Sequence, residues 1–328
     1  MGRIEAIARL FEGTPYKAFE DTFFETSGKE YITTFTRTML EGVDFNLVYF
    51  PLKHLGYKSV VAVTGELYAQ LAHPKVLCVT LGVSSKLDFT QIREIWSGVV
   101  AAAREHGYAK VSLDLAPSIN GLCINVAATG TTSLLTGKRR PAAKSKDLIC
   151  VSGALGAAFF GMQVLERETR RFDGGQSEER DKVLSHYKML VGAYLKPELA
   201  PQTVSLLEEE EIYPSQGYLV TRGLSDAIKR LSADTGLGAK VYADKIPFEG
   251  NSFELGRELN IDPVSAAMNG GDDLKLLFTV PILHLEKFRR NFQTFDIIGH
   301  LAQPEAGTVL VTPDGVELPL RAQGWKEE

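Results

Sequence analysis

EGVDFNLVYFPLKHLGYKSVVAVTGELYA, residues 41–69, is the stretch around which the chain is organised. Glu41-Gly42-Val43-Asp44 reads as a glycine turn flanked by acids. Tyr49-Phe50-Pro51 stops the extended run before it, and Pro51 suits a helix start because its missing N–H costs nothing there. Leu52, Leu55, Ser59 and Val60 share one face, which predicts a helix over 52–63. Gly65-Glu66 then sets a carboxylate in a mostly apolar helical pattern, where such a group pairs with a cation or reaches a cleft.

Composition bounds the class. The 328 residues are long enough for two ordinary domains, and an apolar content of 44% supports a sizeable core. Thirty-six basic against 41 acidic side chains give a formal charge of -5, which is no nucleic-acid footprint. Cys78, Cys123 and Cys150 are scattered in apolar runs and read as buried small hydrophobes in a reducing compartment. Residues 1–10 lack a signal-type apolar core and no apolar run reaches 18 residues, so a cytoplasmic protein without membrane partner is expected.

Outward from residues 41–69, the patterns alternate. Strands are predicted at 31–40, 75–84, 110–114 and 121–130, with a helix from Asp88 to Gly107 whose Ile92, Ile95, Trp96, Val99 and Val100 recur at helical spacing. This order argues an α/β or α+β fold. The polar, basic segment TGKRRPAAKSK, 136–146, marks a domain boundary, dividing the chain into residues 1–136 and 147–328. The second half opens with a strand into Gly153-Ala154-Leu155-Gly156 and a helix from Ala157 to Glu168. Further on come a helical stretch at 182–191, a strand and helix over 218–235, and a helix opened by Asp262-Pro263 that ends in Asn269-Gly270-Gly271-Asp272-Asp273.

These stretches resemble the thiamine-monophosphate kinase family, within the larger group of aminoimidazole-ribonucleotide synthetase-like proteins. EGVDF and PLKHLGYK match that family's turn and helix start, and DLICVSGALGAA, GGDD and AQGW match later motifs, over residues 15–328. The resemblance implies a two-domain fold in which the N-terminal sheet forms a β-barrel across a homodimer, with a nucleotide in the resulting cleft. It also implies ATP and Mg2+ as cofactors and a small phosphorylated ligand as partner.

The motifs that carry chemistry in the resembled family are altered here. Its Gly-Asp-Asp-Ala-Ala segment matches Phe19 to Phe23, where Glu20 and Asp21 keep two acids; an aromatic edge strand with surface acids is the other reading. Its metal-ligating Asp after Thr36 is Arg37, which either binds a phosphate or pairs with Glu20, Asp21 or Asp114, since a guanidinium has no acceptor for a metal. Its Ser-Asp is Gly65-Glu66. Asp114 survives as the one candidate metal ligand, or as a strand-end residue capping a turn. The pattern Gly-Asp-Leu/Ile-Ile-x-Val-Thr/Ser-Gly-Asp-Leu-Gly keeps Gly153 but has Ala154 for its acid; the turn still offers backbone N–H groups to an anion. Asp-Ile-Ser-Asp-Gly-Leu has become LVTRGL, with Arg222 for the second acid. The late pattern Gly-Gly-Glu/Asp-Asp-Tyr/Phe-Glu-Leu-Leu-Phe keeps Asp272 and Asp273 near the implied acceptor pocket, with Leu274 for its aromatic residue. Trp325 either closes over a ligand or anchors a domain.

Three functions follow. One is a degenerate relative that keeps the fold and binds a nucleotide or phosphate ligand without magnesium-dependent kinase activity. Another is an active ATP-dependent kinase in which Arg37 and Arg222 hold phosphates. The last is a structural or regulatory homodimer without nucleotide.

Overall fold

The computed structural model describes residues 24–25, 30–171 and 177–322. Its tertiary contacts divide them into two units, one of residues 24–137 and 157–206, the other of residues 138–156 and 207–322.

In the first unit, β1 (Phe24–Glu25), β2 (Glu30–Leu40), β3 (His73–Val83), β4 (Lys110–Pro117) and β5 (Cys123–Ser133) form one sheet in the order β1-β2-β5-β3-β4. Only the β3–β4 pair is parallel. Side chains alternate along each strand, so one row across the sheet carries Arg37, Val126, Val79 and Leu113, and the next carries Thr38, Asn125, Thr80 and Asp114. The face of the first row includes buried Met39, Val126 and Val79 and is covered by α1 (Leu52–Ala69), which packs across β2, β5 and β3. Thr34, Thr36 and Thr38 of the opposite face are exposed.

The helix predicted over 52–63 runs on to Ala69 and is buried on nearly every side, because α2 (Phe89–Glu105) packs against it as well. Asp88 caps α2: its carboxylate accepts from the Gln91 N–H and the Gln91 side chain accepts from the Asp88 N–H. Lys58, fully buried in α1, donates to the Tyr194 carbonyl at 2.7 Å and lies 3.9 Å from the centre of the Tyr194 ring. After α3 (Leu134–Arg139), this unit continues with α4 (Ala157–Arg171), α5 (Ser177–His186) and α6 (Lys188–Leu195), the last two replacing the single helix expected at 182–191.

Two expectations are corrected. Among the described residues no sheet closes into a barrel: the five-stranded sheet ends in β1 and β4, and β4 pairs there with β3 alone, whereas closure needs every strand paired on both sides. Nor are all three cysteines buried. Cys150 is, but the alternation of β3 places Cys78 on the open face, where it is exposed, and Cys123 is half-buried.

Past α7 (Thr203–Glu209), the second unit is built on β6 (Leu148–Val151), β7 (Gln216–Val220), β8 (Gly238–Tyr242), β9 (Lys275–Val280), β10 (Asp296–Ala302), β11 (Thr308–Val311) and β12 (Glu317–Pro319), in the order β12-β11-β8-β10-β6-β9-β7. Helices α8 (Leu224–Thr235), α9 (Ser252–Leu259), α10 (Pro263–Asn269) and α11 (Leu285–Asn291) complete it. Val151, Val220 and Leu277 from the strands and Leu224, Ile228 and Leu231 from α8 form one buried core. Because β9 runs antiparallel to both β6 and β7, the ends of those two strands and the start of β9 lie at one edge of the sheet. Among the described residues, no helix is long and apolar enough to cross a membrane.

Candidate functional site

At that edge three turns meet. The turn after β7, Thr221-Arg222-Gly223, leads into α8. Gly223 has φ +88, and a Cβ there would lie 2.4 Å from the Met268 carbonyl oxygen, so only glycine lets the two turns approach this closely. The turn before β9 is pinned to it: the Asp272 N–H donates to the Thr221 carbonyl at 2.8 Å and the Leu274 N–H to the Val220 carbonyl at 2.9 Å. Asp272 and Leu274 are held in the left-handed region, at φ +67 and +50, which non-glycine residues seldom adopt and which recurs at functional sites. The third turn follows β6, where the Gly156 N–H donates to Asp273 Oδ2 at 2.8 Å.

The structure thus brings Gly153, Arg222, Asp272 and Asp273 to one mouth. Arg222 is exposed, Gly153 and Asp272 are half-buried, and Asp273 is buried. Leu274, which takes the place of an aromatic residue in the resembled pattern, is fully buried. Burial pushes the Cys150 thiol, one residue before the end of β6, well above its ordinary range, so it stays protonated and unreactive.

The remaining described candidates lie in the first unit. Glu66 is half-buried in the last turn of α1, where it is engaged rather than free. Asp114 is exposed on β4, and its carboxylate makes no hydrogen bond or ion pair among the described residues. Arg37 is partly buried on the helix-covered face, its Nε unpartnered. The expected approach of Arg37 to Asp114 is overturned, since the two occupy opposite faces of the sheet with β5 and β3 between their strands. Glu20, Asp21 and Trp325 lie outside the described residues.

The sequence reading missed Lys275, which opens β9 opposite Val220 and extends over Gly153. The signal was present, because the resembled pattern carries Glu at that place. Magnesium, which the resemblance implies, requires near-octahedral oxygen donors. Among the described residues, no group of three or more His, Cys, Asp or Glu is placed to share an ion. Asp273 is already committed to the Gly156 N–H. The described donors do not fit magnesium.

Residues 20–132 match the model of the AIR synthase related protein N-terminal domain. The chain is 24% identical to the thiamine-monophosphate kinase of Aquifex aeolicus over 303 residues, covering 92% of this chain and 89% of that protein. It is 26% identical to the thiamine-monophosphate kinase of Pyrococcus horikoshii, covering 83% and 78%. Among solved structures, AaThiL complexed with AMPPCP and TMP superposes with a TM-score of 0.75 at 21% identity, over 97% of this chain and 94% of that one. The E. coli hydrogenase maturation protein HypE gives 0.65 at 15% identity, over 98% and 97%. The chain therefore has the α/β fold of these solved structures, and its sequence is similar to the thiamine-monophosphate kinases.

Proposed function

We propose that this is a thiamine-monophosphate kinase-like protein that binds a nucleotide or other phosphate ligand without magnesium-dependent phosphoryl transfer. The observation that carries the reading is the turn cluster of the second unit. Gly153, Arg222, Asp272 and Asp273 converge there, yet two places that hold acids in the resembled family are Arg222 and Ala154. Phosphoryl transfer rests on positioning and on neutralising the polyphosphate charge, chiefly by metal. An arginine binds phosphate bidentately but holds no metal. The complex of AaThiL with AMPPCP and TMP supports phosphate compounds as ligands on this fold.

The test is thiamine diphosphate formation from ATP, magnesium and thiamine monophosphate. No turnover is expected, while ATP raises the melting temperature. Turnover near about 1 s⁻¹, ordinary for an enzyme, overturns the reading, and so does the lack of any phosphate ligand.

A further inference from the structure

Lys275 stands where the resembled pattern has Glu, and its side chain lies against the Gly153 turn. A Cβ at Gly153 would lie 3.7 Å from Lys275 Cε and 3.9 Å from Nζ, ordinary contact distances that set the ammonium beside the turn. The ammonium makes no hydrogen bond or ion pair among the described residues.

Beneath it, Gly153 has φ +108. The Ser152 N–H donates to the Leu276 carbonyl, the Leu155 N–H to the Pro247 carbonyl and the Gly156 N–H to Asp273. Between them the N–H groups of Gly153 and Ala154 have no partner among the described residues. Two successive unpartnered N–H donors in a glycine turn beside an ammonium match the chemistry of an anion-binding concavity. Charge bookkeeping agrees. Arg222 and Lys275 offset Asp272 and Asp273, so the cluster is neutral without a divalent ion, whereas a Glu at 275 would leave it with two negative charges.

We infer that the Gly153-Ala154 turn and Lys275 bind a phosphate group of the ligand directly, independently of divalent metal. This rests on the phosphate-ligand reading above. Lys275 supplies the charge and the two N–H groups supply direction.

The test is isothermal titration of the full chain with inorganic pyrophosphate and with ATP, each in EDTA and in magnesium. Binding in EDTA is expected, weakened about 10-fold or more in Lys275→Gln, since hydrogen bonds to charged groups carry that much affinity. Lys275→Arg should keep it, and Arg257→Gln, an exposed arginine on α9, should leave it unchanged. ATP binding tighter than pyrophosphate assigns a nucleotide, equal binding assigns the phosphate alone, and either supports the site. A wild type that binds only with magnesium, or a Lys275→Gln protein that binds in EDTA as well as wild type, overturns this inference while leaving a phosphate ligand in place. A wild type that binds under neither condition overturns the phosphate-ligand reading and this site with it.

Discussion

Asp273 Oδ2 accepts the Gly156 N–H at 2.8 Å, which makes the second acid of the Gly-Gly-Asp-Asp turn a clamp between two turns. Asp273 is only 3% exposed, so its removal leaves a buried donor unsatisfied. Asp273→Ala should lower unfolding free energy by about 1–3 kcal/mol, read from urea denaturation. An unchanged denaturation midpoint would show that the clamp is dispensable.

Gly56 and Gly98 set the crossing of α1 and α2. A Cβ at Gly98 would lie 1.9 Å from the Lys53 carbonyl oxygen, and one at Gly56 would lie 2.0 Å from that of Ile95. Both obstacles are backbone, which cannot swing aside as a side chain can. Gly98→Ala should destabilise by about 1–3 kcal/mol through overpacking. Equal stability of the variant in thermal and urea unfolding would refute the tight crossing.

His106 gives the first unit a pH dependence. It is buried, 3.0 Å from the Tyr68 hydroxyl through Nδ1, with Nε2 unpartnered. Burial pushes its pKa below the ordinary histidine value, against a smaller opposing effect of Glu105. The unfolded chain then takes up the proton first. The stability contribution is complete above about pH 6.5 and is lost as pH falls from there towards the lower folded value. Unfolding free energy should drop between pH 7 and pH 5, and His106→Gln should flatten that slope. A variant with the wild-type slope would place the effect elsewhere.

The edge strand β4 carries Val111 and Leu113 at 37% exposure and Leu115 at 50%. An exposed apolar edge is a template for association, which lysine disrupts. A homodimer through the first unit is expected, with light scattering near twice the 36.0 kDa chain mass. Leu113→Lys should shift it to the monomer. A wild type that scatters as a monomer at micromolar concentration would end this proposal.

Much of the local structure was legible because local signals set it. Asp88, followed three residues on by Gln91, caps α2 as such a pair does. Asp262 before Pro263 opens α10, its carboxylate accepting from the N–H groups of Val264 and Ser265. GGDD and the turn after β7 were visible as separate motifs, but not the contact between them. Where neighbours decide, the sequence ran short. The helix over 52–69 was underestimated because α2 and the sheet bury faces that an isolated amphipathic pattern would leave polar.

By itself, the sequence determined the α/β character and placed Arg37, Ala154 and Arg222 in their motifs, since periodicity, capping and residue identity are local properties. Only the tertiary structure decided which of the candidate residues meet. Strand alternation put Arg37 and Asp114 on opposite faces, an outcome fixed by register across four strands. The packing of Gly223 against Met268, and of Lys275 over Gly153, brought together residues 45 and 122 positions apart. Such contacts depend on how chain segments pack in space, which no single stretch of sequence records.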